Sequence, residues 1–223
     1  VVKARNRLSD VALPVSYPVY IFDVDGTLVD SAADICGAIQ GVLSHTTANS
    51  VPDEFLRGYI GRHLVDLFQD LLPDLSALQM DAMVQEYRTI YTAREHSSTY
   101  AYPGVQETLA ALPGRKSTAT TKGTPTTRIV LERFGLLPYF DHVQGTDGFP
   151  AKPAPDVIFK ALAGLHAQPG DCLFVGDSAA DMEAARRAGV KSCAVTYGYG
   201  RREDLQKWSP DFWIDDFRQL AFP

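Results

Sequence analysis

Two aspartates two residues apart, in Asp23-Val24-Asp25-Gly26-Thr27, directly follow the short apolar run Val19-Tyr20-Ile21-Phe22. This is the pattern of a buried strand that delivers polar groups at its C-terminal end. Gly26 predicts a turn that fans the two carboxylates around one point. Adjacent anions repel, so the pair calls for a cation. Magnesium is the natural candidate, because it takes oxygen ligands and commonly binds one or two carboxylates together with a substrate phosphate.

A second acidic cluster, Gly176-Asp177-Ser178-Ala179-Ala180-Asp181, follows the apolar run Cys172-Leu173-Phe174-Val175 in the same strand-then-loop context. It could complete the metal site, although capping of the following helix is the alternative use of Asp177 or Ser178. Thr120 and Thr121 close the Thr-rich segment that starts at Arg115, and Lys122 and Gly123 come next. A hydroxyl and backbone amides there could hold phosphate oxygens. Lys152 lies between Pro150 and Pro153, which restrict the backbone around it and suit a stiff loop presenting one cation.

The elements that must position these groups alternate. Strands are expected at Val19–Phe22, Arg115–Thr120, Cys172–Val175, Lys191–Thr196 and Phe212–Ile214. Helices are expected at Val105–Leu112, Thr126–Phe134, Pro155–Leu165 and Ala179–Ala188, the last stopped by Gly189. Such alternation implies parallel β-α-β units, an α/β fold with helices on both faces of the sheet. The stretch 31–98 breaks the pattern. It has no convincing strand, but helical spacing recurs in Ile35-Ile39-Val42-Leu43, in Leu64-Leu67-Phe68-Leu71 and in Met80-Met83-Val84-Tyr87-Tyr91. An all-helical insertion after the first strand falls at the ligand-binding end of an open α/β sheet and is expected to be a separate lid. The expected organisation is an N-terminal arm at 1–17, a core at 18–30 and 99–223, and the helical insertion at 31–98.

Composition narrows the function. The 223 residues are 45% hydrophobic and 22% charged, the balance of a soluble globular protein. A net charge of −6 argues against nucleic acid as a partner, since that binding rests on clustered Lys and Arg. No run approaches the about 20 apolar residues that span a bilayer, so no membrane association is expected. The basic N-terminal stretch, broken by Ser9, Asp10 and Pro14, lacks the apolar core of a secretory signal. Cys36, Cys172 and Cys193 have no metal or redox spacing and read as buried free thiols in a reducing, cytoplasmic compartment.

Taken together, Asp23-x-Asp25-Gly26-Thr27-Leu28-x-Asp30-Ser31, Thr120, Lys152-Pro-x-Pro155 and Gly176-Asp177-x-x-x-Asp181 resemble the four motifs of the haloacid-dehalogenase-like superfamily, in order and context, from about Tyr20 to Leu220. Within it the chain is similar to the phosphoglycolate phosphatase group. Asp30-Ser31-Ala32-Ala33-Asp34-Ile35, Tyr102-Pro103-Gly104-Val105 and Val195-Thr-Tyr-Gly-Tyr-Gly200 carry that likeness, while Thr120-Thr-Lys-Gly123 departs from that group's Thr-Asn-Lys-Pro. The resemblance implies a Rossmann-like core with a helical cap and strand order 5-4-1-2-3, the Asp23 strand central.

It also implies a magnesium-dependent phosphatase acting on a small phosphorylated metabolite. Asp23 would be the nucleophile and Asp25 the acid and then the base. Asp23, the Asp25 carbonyl and Asp177 would hold the metal, with Asp181 behind them. Thr120 and Lys152 would hold phosphoryl oxygens, and Thr121 and the cap residue Arg62, beside Arg57 and His63, would contact substrate. The other histidines receive no role, and the assembly is expected to be a monomer or homodimer. A phosphomutase on the same scaffold is the alternative enzyme, although such enzymes carry a His where this chain has Ala33-Asp34-Ile35-Cys36. A catalytically silent regulator is the alternative without chemistry.

Overall fold

The computed structural model describes residues 16–49 and 51–221; of the arm expected at 1–17, all but its last two residues lie outside them. In chain order the elements are β1 (Val19–Phe22), β2 (Val29–Asp30), α1 (Ala32–Leu43), α2 (Asp53–Arg57), α3 (Leu64–Leu71), α4 (Ala77–Ala93), β3 (Tyr100–Ala101), α5 (Val105–Ala111) and β4 (Arg115–Thr118). After these come α6 (Thr124–Arg133), α7 (Asp156–Gly164), β5 (Cys172–Gly176), α8 (Ala179–Ala188), β6 (Lys191–Val195), α9 (Arg202–Gln206) and β7 (Phe212–Ile214). All five expected strands form one parallel sheet in the order β4-β1-β5-β6-β7.

Counted over these five strands the order is 2-1-3-4-5, not 5-4-1-2-3. The difference comes from a member that the sequence does not announce. A single parallel bridge joins Ser117 on β4 to His142. If that bridge is counted as the third strand, the expected order 5-4-1-2-3 is recovered with β7 added outside it.

Alternation along β1 sends its side chains to two cores. Tyr20 and Phe22 pack with Val105, Leu109, Val130 and Leu131 of α5 and α6, whereas Val19 and Ile21 pack with Val157, Ile158, Ala184 and Ala185 of α7 and α8. A strand buried on both faces reads as a continuous apolar run, which is why β1 and β5 were legible.

Helices α1 to α4 have a core of their own, in which Ile35, Ile39, Val42, Leu67, Phe68, Met80, Met83 and Tyr91 meet. The backbones of α1 and α4 approach closely, with Gly41 against Ile90 and Gly37 against the Arg94 guanidinium. The insertion is entered and left through the antiparallel pair β2–β3, with Val29 opposite Ala101 and Asp30 opposite Tyr100. These two-residue strands are too short to leave a pattern in the sequence. Behind them Asp34, fully buried, accepts hydrogen bonds from Arg94 Nε at 3.0 Å, the Ser98 amide at 2.9 Å and the Thr99 hydroxyl at 2.7 Å. That clamp ties the start of α1 to the segment returning from α4.

All three cysteines are buried and unpaired. Among the described residues no helix is long and apolar enough to cross a membrane.

Candidate active site

Strand register builds the site. In β4, β1 and β5 the residues Thr118, Phe22 and Val175 are aligned partners. Whatever follows each strand therefore emerges at one rim of the sheet. Asp23 follows β1, with its amide donating to the Val175 carbonyl at 2.9 Å; Ala119 and Thr120 follow β4; Asp177 follows β5. Gly26 makes the turn after Asp25 at φ +89°, and a Cβ there would lie 2.3 Å from Asp177 Oδ2. The residue must be glycine both for its dihedral and for the close approach of the two loops.

The carboxylates are deeply buried: Asp23 is 2% exposed, Asp177 2% and Asp181 0%. Each has dedicated partners. Lys152 Nζ bridges Asp23 Oδ1 at 2.8 Å and Asp181 Oδ1 at 2.5 Å, and its third contact is the Ala119 carbonyl at 3.0 Å. The other Asp181 oxygen accepts the Ser178 amide at 2.9 Å and the Ser178 hydroxyl at 2.6 Å in a capping box that opens α8. Ser178, not Asp177, is thus the helix cap. Asp177 instead accepts the Thr27 hydroxyl at 3.1 Å and the Tyr199 amide at 2.8 Å.

Asp25 turns away from this group. Its Oδ1 accepts the Ser31 hydroxyl at 2.6 Å, and its Oδ2 faces Lys122 Nζ at 3.3 Å. Lys122 in turn donates to the Tyr91 hydroxyl at 2.9 Å. Two adjacent aspartates of one loop therefore have different surroundings, which suits them to different tasks.

Burial raises the Asp23 carboxyl to about 7, with the Asp181 charge adding to it and Lys152 opposing. Burial also lifts Asp177 well above the ordinary carboxylate range, with Asp181 and Asp23 adding to the effect. Burial alone would lower both lysines, but the neighbouring carboxylates outweigh it, so Lys152 and Lys122 are raised and remain ammonium ions. Four carboxylates, of Asp23, Asp25, Asp177 and Asp181, face two ammoniums, of Lys122 and Lys152; four minus two leaves an excess of two negative charges when all are ionised.

One divalent cation matches that excess. Oxygen atoms of Asp23, Asp177 and Asp181 lie within 4.8 Å of one another, and oxygen-only donors suit a hard ion. Of the three, Asp181 is already committed to Lys152 and Ser178. Both Asp177 oxygens have partners as well, the Thr27 hydroxyl and the Tyr199 amide, whereas Asp23 has its contact with Lys152.

The structure thus brings Asp23, Asp25, Thr120, Lys152, Asp177 and Asp181 to one rim. Thr120 is buried, and its hydroxyl accepts the Lys122 amide at 3.3 Å; Thr121 beside it is half-buried. Arg62 is not drawn into the cluster. It is exposed, with its guanidinium 5.0 Å from the centre of the Tyr59 ring. Its neighbour Gly61 does reach the rim, where a Cβ would lie 3.3 Å from the Ser178 side chain. Arg57 is likewise exposed, and the ring of His63 accepts the Val65 amide as the cap of α3.

Lys122, Ser31, Tyr91 and Tyr199 join the site without having been assigned roles. Tyr199 places its hydroxyl between the Ser31 amide at 2.8 Å and Asp30 Oδ1 at 2.9 Å. A charged residue two positions after the strand-end Thr120 was the available signal for Lys122. Tyr91 read only as one apolar position of a helical stripe.

Comparison with known proteins agrees with this geometry. The family model for haloacid dehalogenase-like hydrolases matches residues 20–195. Phosphoglycolate phosphatase of Vibrio vulnificus is 34% identical over 211 residues, 89% of this chain and 92% of that protein. The phosphoglycolate phosphatase of Nitrosospira multiformis is 34% identical over 209 residues, covering 89% and 91%. A haloacid dehalogenase-like family hydrolase from Streptococcus pneumoniae superposes with a TM-score of 0.83 at 28% identity, covering 93% of this chain and 98% of that one. With a family model matching most of its length and relatives of 34% identity covering 89% of it, this chain belongs to the haloacid dehalogenase-like hydrolases, in their phosphoglycolate phosphatase-like group.

Proposed function

We propose that this chain hydrolyses a small phosphate monoester of the phosphoglycolate kind, dependent on magnesium and through a phosphorylated Asp23. The coarser statement, that the chain is a phosphoric monoester hydrolase, follows from its family and its relatives. The observation that carries the finer one is Asp23 itself: a buried carboxylate at a strand end, one oxygen held by Lys152 at 2.8 Å, beside a set of oxygens that fits a divalent ion.

Asp23 attacks phosphorus, forming an O–P bond as the bond to the leaving alkoxide breaks; Asp25 gives that alkoxide its proton. Asp25, now anionic, then takes a proton from water, whose oxygen forms a new bond to phosphorus while the Asp23–phosphorus bond breaks. Covalent catalysis of this kind divides one difficult displacement into two. Lys152 and the Thr120 hydroxyl hold the equatorial oxygens, over which charge spreads in the loose transition state. Magnesium, held by the Asp23 carboxylate, the Asp25 carbonyl and Asp177, would supply the positive charge that offsets repulsion between nucleophile and phosphoryl group. Asp181 orients Lys152 from behind.

Residues 31–98 act as the cap that chooses the substrate, because residues 18–30 and 99–223 meet only the phosphoryl group that all such esters share. Thr121 is a candidate contact to the phosphoryl group and Arg62 to the rest of the substrate, with Arg62 suited to pair with a carboxylate. The phosphomutase reading loses support from Asp34, whose carboxylate is fully engaged within the clamp and offers no acid or base to a sugar.

Magnesium-dependent release of phosphate from p-nitrophenyl phosphate tests the reaction, and a panel of phosphorylated metabolites ranked by kcat/KM tests the substrate. Asp23→Asn is expected to lower turnover by at least ~10⁴-fold, as deletion of other nucleophiles does. An Asp23→Asn enzyme that keeps a tenth of its activity rules the mechanism out.

A further inference from the structure

Lys122, whose side chain is 9% exposed, is a cation beside the catalytic loop that the mechanism above does not use. It lies just beyond Thr120, on the loop between β4 and α6, and its ammonium faces two ways. Toward the catalytic loop it meets Asp25 Oδ2 at 3.3 Å; toward the helical insertion it donates to the Tyr91 hydroxyl at 2.9 Å and sits 4.4 Å from the centre of the Tyr91 ring. Tyr91 is fixed in its turn. It is 4% exposed, stacked on Tyr87 at 5.6 Å between centroids, with the His96 ring edge-on at 5.2 Å. A side chain held at hydroxyl and ring, itself holding a carboxylate, is a built contact rather than a solvated charge.

Ser31 and Lys122 together hold both oxygens of Asp25, one each. A carboxylate gripped at both oxygens has lost the freedom to rotate about its last bond, and catalytic groups gain from being held in this way. An ammonium on one of those oxygens is complementary to the anion, the form Asp25 has once its proton has gone to the leaving group. The contact fixes the carboxylate for the second half of the reaction, in which its orientation toward the attacking water decides whether it can receive that proton. It also runs from the core to α4, so that the insertion and the base are set by one side chain.

We infer that Lys122 is a positioning residue that, anchored by Tyr91 of α4, holds Asp25 in place to activate the water that cleaves the phosphorylated Asp23. This inference rests on the phospho-aspartyl reading. It assigns the second step its own residue, distinct from Lys152, which serves Asp23.

The test uses p-nitrophenyl phosphate, whose leaving group departs as the phenolate without needing a proton, so the first step is spared the loss of an acid. With Lys122→Met the reaction should show a burst of about one equivalent of p-nitrophenolate, followed by steady turnover about 10- to 100-fold below that of the unaltered enzyme, a fraction of the ~10²–10⁴ that a general base contributes. The variant's kcat and KM should fall together, leaving kcat/KM within about 3-fold, and phosphate should be found covalently on Asp23. Lys122→Arg should recover part of the turnover. Tyr91→Phe keeps the ring but loses the hydroxyl and should show the same split at about 3-fold, a second route if Lys122→Met does not fold.

A fall in kcat/KM as large as the fall in kcat overturns the inference, since a general structural loss or an effect on the first step does that. Unchanged turnover in both variants, or a loss confined to phosphoglycolate, overturns it as well. Asp25→Asn separates this failure from that of the underlying reading. A burst in Asp25→Asn with none in Lys122→Met removes the role of Lys122 alone. No burst and no phosphorylated Asp23 in either variant removes the covalent intermediate and the inference with it.

Discussion

The rim of the sheet and the loop around Arg62 approach one another at Ser178 and Gly61, yet they are built on opposite principles. At the rim every carboxylate is buried and has at least two partners: Asp23 excepted, whose single ammonium contact leaves its other oxygen free, the groups are held from both sides. On the loop, Arg57, Arg62 and His63 are exposed, and the partners they have are local, as with Arg62 on Tyr59 and His63 on Val65. A phosphoryl group is the same in every ester, so a rigid, preorganised site serves all of them. The remainder of the substrate varies, and groups that must adapt to it stay in solvent until it arrives. Among the described residues, the one rim carboxylate oxygen without a partner belongs to Asp23, the proposed nucleophile.

The sharpest way to break this contrast is to remove a rim charge and a loop charge and compare. Lys152→Met should lower kcat by about 10²–10³ on every substrate alike, as the loss of one preorganised charge-stabilising group does. It should also destabilise the protein by about 3–5 kcal/mol, because Asp23 and Asp181 are left as buried anions without their cation. Denaturant unfolding measured beside the kinetics checks both numbers. A substrate-dependent loss would place Lys152 with the specificity groups.

Titration of the metal-free protein sharpens the same contrast, since Asp23 and Asp177, both raised by burial, lie at the rim. Asp23 has its pKa raised from 3.8 to about 7, so the folded state binds this proton more tightly than the unfolded state does. The sign follows from linkage: stability from this group is fully present below about pH 4 and is lost as pH rises through about 7. Asp177, raised in the same direction, adds to the trend. Without metal the melting temperature should therefore fall by several degrees between pH 5 and pH 8, on the scale of ~2–4 °C per kcal/mol for a chain of this size. Added magnesium should stabilise the protein most at the alkaline end, and Asp23→Asn should flatten the profile. A melting temperature that rises over that range would count against the buried excess charge.

Arg62→Ala carries the smallest expected effect. It should raise KM for phosphoglycolate by about 10-fold, the worth of one charge-assisted contact on an exposed side chain, and leave p-nitrophenyl phosphate unaffected. Equal kinetics on phosphoglycolate before and after the substitution would leave the loop without a recognised carboxylate contact.

How far the sequence reaches differs between these regions for a physical reason. The candidate groups at the rim were legible because each is announced locally: an apolar strand of four or five residues, then an acid, a threonine or a proline-bound lysine. The helices of the insertion were legible too, since their apolar spacing matches the turn of a helix: α1 buries the residues expected of it, and in α3 and α4 Leu64, Leu71, Val84 and Tyr87 are half-buried against the same core. The short helix α2, the β2–β3 pair and the His142 bridge were not, because a five-residue helix, two-residue strands and a single bridge give neither a period nor a continuous apolar run to detect.

By itself, then, the sequence determined which residues are candidates for the chemistry, which segments are strands or helices, and that an all-helical insertion interrupts the alternation. Tertiary structure alone decided who holds whom. Asp25 meets Lys122, Lys122 meets Tyr91, and Asp34 meets Thr99 across separations of 97, 31 and 65 residues. Periodicity says which face of a helix is buried but not what it is buried against. That choice is made only when the chain returns through Ser98 and Thr99 to the sheet and the helices dock as a body.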